Sequence, residues 1–386
     1  MLSILLLILS VSLAIFIIQI KKQLYQHLDS NSKHFDMVIG AKGSPLQLVL
    51  SSILHLDNPT GNIYLEEAIE VAKNPMVKDV IPISYGDNYN GYRILGASHK
   101  YLNKYDASLR NGQLYKKSLE VVIGSNVYEN NNLQVGSTFA SSHGLVKNGI
   151  EIHKEKPFVV TGVLKPTGSI VDHLIITNLE SIWQLHEHED EHQHENDHPE
   201  EEHEGKREIT SLLVAFRNPM GAIQMSRFVN EKTTMQAALP KFEIERLMSF
   251  LGLGFKTING ISIAILLVAL LSIFVNVIKT VRERKQELAL LRTYGVSIFK
   301  LMQLVFLESM ILALIGVVFG WILGRTGIWF FSIFSEGTYG YHFVFSAPSG
   351  KELYMLVLIL LTTFPAAILA SLSLLKLNVS KILADA

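Results

Sequence analysis

Apolar positions fall into four long blocks, and the sequence between the first two differs in kind from that between the others. Residues 2–20, LSILLLILSVSLAIFIIQI, are 19 uncharged and mostly apolar positions, close to the ~20 that a helix needs to cross ~30 Å of hydrocarbon. Three further blocks lie near 257–278, 303–324 and 353–374, and each is long enough to span. No comparable run interrupts 23–250. There, alternation in Phe158 to Val163 and in Leu174 to Thr177 predicts half-buried strands, NLESIWQL reads as a helix, and EITSLLVAFR reads as a strand between Pro and Gly punctuation.

The fold class that follows is a membrane α-helical protein with four transmembrane helices in a 1+3 layout and one large extracytoplasmic α+β domain. The chain divides into a first transmembrane helix (1–22), the outer α+β domain (23–250), a second transmembrane helix (251–278), a cytoplasmic element (279–302), a third transmembrane helix (303–325), a short outer loop (326–352), a fourth transmembrane helix (353–375) and a cytoplasmic tail (376–386). A cleaved signal peptide would need a basic start, a shorter apolar core and a small-residue cleavage motif. No basic start precedes the first block, and Lys21 and Lys22 follow it directly.

Orientation comes from the basic residues. Lys279, Arg282, Arg284, Lys285, Arg292 and Lys300 crowd the link after the second block, and Lys376 and Lys381 follow the fourth. Beyond Arg325, the loop between the third and fourth blocks holds only Lys351. The excess of positive charge puts 279–300 and the C-terminus in the cytoplasm and the large domain outside, with Lys21 and Lys22 as a local exception next to a long translocated domain.

Composition agrees with a membrane protein that has a large aqueous part. Hydrophobic residues make up 48% of the 386 positions and charged residues 18%, with a mean hydropathy of +0.27. A net charge of −1 gives no reason to expect nucleic acid as a partner. The absence of cysteine excludes a disulfide framework and a thiolate metal site.

The cytoplasmic link is the most informative stretch. Arg282 to Tyr294 is a run of helix formers, Gly295 is placed like a C-cap, and Ile298 to Leu304 resumes helical periodicity. Leu288 and Leu291 are expected to share a packing face, with Glu283, Arg284 and Glu287 projecting elsewhere. On the residues alone, a loop whose charges only fix topology is an equal alternative. The string RERKQELALLRTYGVSIFKLMQLVFLES, however, resembles the motif of the MacB/FtsX-like permeases, the type VII ABC transporter permease subunits. In these a basic stretch, Glu, Leu, Leu-Arg, Gly and a later Glu recur in order, and Arg284, Glu287, Leu291, Arg292, Gly295 and Glu308 match position by position. Residues 121–139 and 158–183 are similar to the MacB-type periplasmic core.

The resemblance implies a coupling element at 282–300 seated on a separate ABC ATPase, with Glu287 and Arg292 on the docking face. It further implies a homodimer of permeases in the bacterial inner membrane, surrounded by lipid, with a periplasmic or lipoprotein partner. Relatives carry a basic amphipathic segment ahead of the first span, so the resemblance also implies a truncated start. The chain contains no G-x-x-x-x-G-K-[ST] phosphate loop. ATP therefore enters only through the partner, and the chain is read as a non-catalytic permease with no intrinsic cofactor.

Three membrane features are candidates for function. Glu308 is either an intramembrane carboxylate or an interfacial one near the cytoplasmic headgroups. Gly316, Gly320 and Gly324 form a small-xxx-small ladder that suits either dimerisation or packing within one subunit. Pro365 is expected to bend or interrupt the fourth span.

Residues 185–204, LHEHEDEHQHENDHPEEEHE, hold His186, His188, His192, His194, His198 and His203 among ten carboxylates. Two formal H-E-x-x-H matches fall here, but no apolar face accompanies them and Pro199 follows the second, so proteolysis is not the reading. Weak multi-site zinc or copper binding and a solvated charge run remain open against each other.

The leading functional expectation is an ABC permease whose partner's ATP hydrolysis drives movement on the outer side, with a link to zinc homeostasis carried by the His tract alone. The alternative is a metal-responsive receptor or scaffold without transport. Direct zinc passage fares poorly, because the four blocks carry no His and hardly any carboxylate.

Overall fold

The computed structural model describes residues 2–142, 156–186, 207–339 and 347–372. It divides into two compact units, one of residues 26–249 and one of 1–25 with 250–386. In chain order the described elements run α1 (Leu2–Ser32), β1 (Met37–Ala41), α2 (Pro45–Ser52), β2 (Ile63–Tyr64), α3 (Leu65–Ala72), β3 (Val77–Tyr89), β4 (Tyr92–Gly96), α4 (His99–Lys104), β5 (Leu109–Gly112), β6 (Glu120–Ile123), α5 (Ser125–Asn131), β7 (Thr138–Phe139), β8 (Phe158–Leu164), β9 (Leu174–Thr177) and α6 (Leu179–His186). Then follow β10 (Glu208–Ile209), β11 (Ser211–Phe216), α7 (Pro219–Lys232), β12 (Met235–Ala238), α8 (Pro240–Glu283), α9 (Lys285–Thr293), α10 (Ile298–Tyr339) and α11 (Gly350–Ser371).

The 26–249 unit is built on a mixed sheet with strand order β12-β1-β11-β3-β4-β9-β6-β8-β5, and β7 pairs with β8. Pairs β4/β9 and β6/β8 are parallel and the others antiparallel. The strands expected at Phe158–Val163 and Leu174–Thr177 are β8 and β9. One expectation is corrected: all four β9 residues are buried rather than half-buried. The strand lies between β4 and β6 with both faces covered, and a strand in that position loses the need for a polar face. Two hydrophobic clusters result, one around Met37, Leu212 and Val214 and one around Val121, Phe158 and Ile175.

In the other unit, three helical segments among the described residues are long and apolar enough to cross a membrane, at Ser3–Ser32, Pro240–Lys279 and Ile298–Ile333. The fourth predicted block forms α11, a 22-residue helix that continues through Pro365 without interruption. The helices outrun the predicted spans. The 42 residues of α10 extend ~63 Å at 1.5 Å each, about twice the hydrocarbon thickness.

α1 packs on α10 through the glycine ladder. A Cβ placed on Gly316 would lie 2.7 Å from Leu7 Cδ2, one on Gly320 2.7 Å from Val11 Cβ, and one on Gly324 2.8 Å from the Ser12 carbonyl oxygen. Contacts at every fourth residue on both helices let the two backbones approach, and the space is filled by Leu7, Val11 and Ile15, which are fully buried. The ladder thus serves packing within one subunit. A different contact joins α1 to α8: Ser10 Oγ donates to the Ser262 carbonyl at 3.0 Å, and Ser262 Oγ donates back to the Ser10 carbonyl at 3.1 Å.

The glycines make a contrast that can be measured. Gly260, inside α8, has nothing within 4 Å of an added Cβ, so Gly260→Ala is expected to leave the melting temperature unchanged or raise it slightly, by the ~0.5–1 kcal/mol of helix propensity. Gly320→Ala is expected to cost about 1–3 kcal/mol through overpacking against Val11. Thermal unfolding of the detergent-solubilised full chain reads both; equal effects would contradict the packing of α1 on α10.

Candidate coupling site

The link between α8 and α10 folds as a helix, a turn and a second helix start. α8 ends at Glu283 and α9 begins at Lys285, separated by Arg284 with φ −95° and ψ 15°, outside helical values. At the far end Gly295 has φ +88°. Its N–H reaches the Arg292 carbonyl at 3.1 Å, and the Val296 N–H reaches the Leu291 carbonyl at 3.2 Å. This left-handed cap explains the glycine expected there. Ser297 then precedes α10, its Oγ accepting from the Lys300 N–H at 3.4 Å.

The hairpin is held from inside by Leu288, which shares a buried cluster with Leu301 and Val305 of α10 and with Val277 of α8. Electrostatics add a bracket: Arg284 Nε lies 3.1 Å from Glu287 Oε2, and Arg284 Nη1 lies 3.5 Å from Glu308 Oε2. These groups are about half exposed, so each pair contributes roughly 0–1 kcal/mol. Their role is to orient α9 on α10. Glu308 is therefore an ion-paired, half-exposed carboxylate.

Of the residues expected here, Arg284, Glu287 and Glu308 are brought together, while Arg292 is exposed on its own side of α9. Leu291 requires a correction: it is 41% exposed and does not share the inner face of Leu288. Both lie in α9, whose inner face is centred between Leu288 and Ala289, the latter at 2% exposure, and at ~100° per residue Leu291 falls about 110° from that centre. Reading the residues missed the consequence, which is an outward apolar set of Leu290, Leu291, Tyr294 and Phe299, with Tyr294 84% exposed. Two aromatics inside a basic link were the available signal. A groove of about 490 Å³ runs along α10 itself between Lys300 and Leu312, lined also by Leu304, Leu307 and Glu308.

Also missed was a buried ion pair, Arg325 with Glu352. A local signal for Glu352 existed, because Ser349-Gly350-Lys351-Glu352 is the S-x-x-E pattern of a capping box ahead of an apolar run.

Among the expected metal ligands, His188, His192, His194, His198 and His203 lie outside the described residues, and only the backbone of His186 is described, at the end of α6. Among the described residues no group of three or more His, Asp or Glu could hold a metal ion. The strongest titration anomaly in the 26–249 unit is a buried chain. Tyr101 Oη donates to His55 Nε2 at 2.7 Å, His55 Nδ1 bonds the Tyr85 hydroxyl, and that hydroxyl donates to the Ser51 carbonyl. Burial first, and then the Arg93 charge, push the His55 pKa from 6.5 down to about 3. The ring is neutral and serves as a structural relay.

Two expected outcomes follow. Because Gly295 has φ +88° and nothing within 4 Å of an added Cβ, Gly295→Ala is expected to cost about 1–2 kcal/mol through backbone strain alone, read as a lower melting temperature; no change would show that the cap is not held. For His55 the folded state resists a proton that the unfolded chain accepts below about pH 6.5, so stability falls as pH drops from there toward 3. Near pH 5 the loss is about 2 kcal/mol. His55→Asn, suited to the φ of +52° at this position, is expected to flatten the melting temperature between pH 7.5 and 5 relative to the wild type; identical pH profiles would contradict the assignment.

Comparison with known proteins bears on this hairpin and the helices around it. No curated protein matches the chain. Among solved structures, the periplasmic region of MacB from Actinobacillus actinomycetemcomitans is 12% identical, with 57% of this chain and 97% of that one covered and a TM-score of 0.37. The extracellular domain of the noncanonic ABC-type transporter YknZ from Gram-positive bacteria is 12% identical, with 52% and 98% covered and a TM-score of 0.32. Residues 259–379, which include most of α8 and all of α9, α10 and α11, match the model of the FtsX-like permease C-terminal family. That match is confined to these residues, and over them the chain is similar to the FtsX-like permeases.

Proposed function

We propose that this chain is the permease subunit of an ABC transporter. A separate ATPase hydrolyses ATP, and the α9 hairpin receives the resulting motion and passes it to the helices packed behind it. The observation that carries the reading is the pairing of a rigid inner face with an unfilled outer one. Leu288 and Ala289 of α9 are buried, while Leu291 of the same helix, Tyr294 at its end and Phe299 at the start of α10 are exposed. A lever needs both, a face fixed to what it moves and a face open to what pushes it.

In this reading four helices cross the bacterial inner membrane, the hairpin faces the cytoplasm, and the 26–249 unit works on the outer side. Two copies act with two ATPase subunits to move or release a substrate there. The exposed apolar set replaces Glu287 as the expected centre of docking, since Glu287 is engaged with Arg284, and Arg292 lies at the rim. The tract at 185–204 stands apart from this mechanism. A zinc or copper role for it would be capture or sensing rather than passage.

The test is co-purification of the full chain from its native membrane, followed by ATPase assay of the complex. A nucleotide-hydrolysing companion is expected, and Leu291→Asp is expected to weaken its retention about tenfold or more, as for a central contact in an interface. Absence of any ATPase from the wild-type complex, or full retention and activity with Leu291→Asp, would overturn the reading.

A further inference from the structure

The cluster around Glu352 takes no part in the coupling hairpin and has more structure than a helix cap needs. Glu352 Oε1 accepts from the Ser349 N–H and the Ser349 hydroxyl, both at 2.9 Å, and from the Gln19 side-chain amide. Its other oxygen, Oε2, lies 3.2 Å from Arg325 Nη1. Donors from α1, from α10 and from the residue ahead of α11 thus converge on one carboxylate that has no exposed surface. Arg325, 5% exposed, also lies 5.4 Å from the centre of the Trp321 ring. Gln23, one turn along α1, donates to Gln19 Oε1 at 3.4 Å.

A capping box requires only Ser349 and Glu352. It calls for neither a buried arginine nor an amide from another helix. Burial makes the extra contacts consequential, because separating a buried charge pair leaves each partner without compensation in an apolar surrounding. Sliding α1 along α10 by about one turn, ~5.4 Å, would pull Gln19 off Glu352 and shift Leu7, Val11 and Ile15 one glycine along, leaving one end of the ladder unmatched. By contrast, α1 meets α8 at the Ser10 and Ser262 exchange of neutral hydrogen bonds, which a small shift can break and remake without exposing a charge.

We propose that Arg325, Glu352 and Gln19 are positioning residues that lock α1, α10 and α11 into one block, so that movement within the membrane unit falls on α8. The proposal deepens the permease reading and rests on it for what drives the movement.

The chain lacks cysteine, so an introduced pair reports register cleanly. In Leu7→Cys/Gly316→Cys the Cβ positions are 3.5 Å apart, at the edge of the ~3.5–4.5 Å that a disulfide spans. In the full chain with its companion ATPase, oxidation is expected to reach completion at a rate that Mg-ATP changes by less than about twofold. Adding Arg325→Met with Glu352→Gln removes both charges, keeps a capping side chain and leaves no unpaired charge. That variant is expected to melt within a few degrees of the parent yet to cross-link at least about fivefold more slowly. Gln19→Leu, which removes only the α1 arm, is expected to slow the reaction in the same direction. Unchanged cross-linking in both variants, or a parent rate that Mg-ATP alters more than about twofold, would overturn the proposal. The comparison of variants needs no ATPase, so a chain lacking a companion would sink the permease reading and leave this one decidable.

Discussion

A charge inside an apolar helix must have a partner, and this constraint organises the membrane unit. Between Leu301 and Ile333 α10 carries two such charges, Glu308 and Arg325, 17 positions apart and therefore ~25 Å along the axis. Each is paired, Glu308 with Arg284 and Arg325 with Glu352, and the 16 residues between them are uncharged. That separation is close to the ~30 Å of a hydrocarbon core. In the permease reading the two pairs mark where α10 meets water or headgroups.

Within those marks α1 is the helix on which the others converge. It meets α10 by backbone approach at the glycine ladder, α8 by exchanged serine hydrogen bonds, and the Glu352 cluster by an amide. The three contacts differ in what they resist. Close packing resists separation, the Gln19 amide bonded to the buried Glu352 carboxylate resists sliding, and the neutral serine pair resists little once a shift begins. The coupling hairpin sits behind α10 through Leu288, Leu301 and Val305, so a push on its exposed side acts on a packed body rather than on a loose loop.

Much of this was legible in the sequence because its signals are local. Gly295 could be read as a cap, β8 and β9 from alternation, and the ladder at 316, 320 and 324 from spacing alone. What failed depended on neighbours. The three-residue spacing of Leu288 and Leu291 fits a shared face, but which side of α9 turns inward is set by α10, and it is the Leu288 and Ala289 side that is buried. β9 read as half-buried because a short apolar run does not reveal whether a strand is central. Whether the ladder joined two copies or two helices of one copy depended on where α1 lies. The Arg325–Glu352 pair was invisible for the same reason: one residue closes a span, the other opens the next, and nothing in their spacing says that Gln19 will join them.

A permease of this kind requires α10 to cross the membrane between its two charged pairs, with the hairpin on the cytoplasmic face. Labelling of single cysteines by a membrane-impermeant maleimide tests this directly, since the natural chain has none and both Tyr294 and Trp329 are well exposed. Trp329→Cys is predicted to react in cells whose cytoplasmic membrane is sealed, and Tyr294→Cys only after that membrane is opened. Reaction of Tyr294→Cys in sealed cells, or of both positions from the same side, would contradict the account.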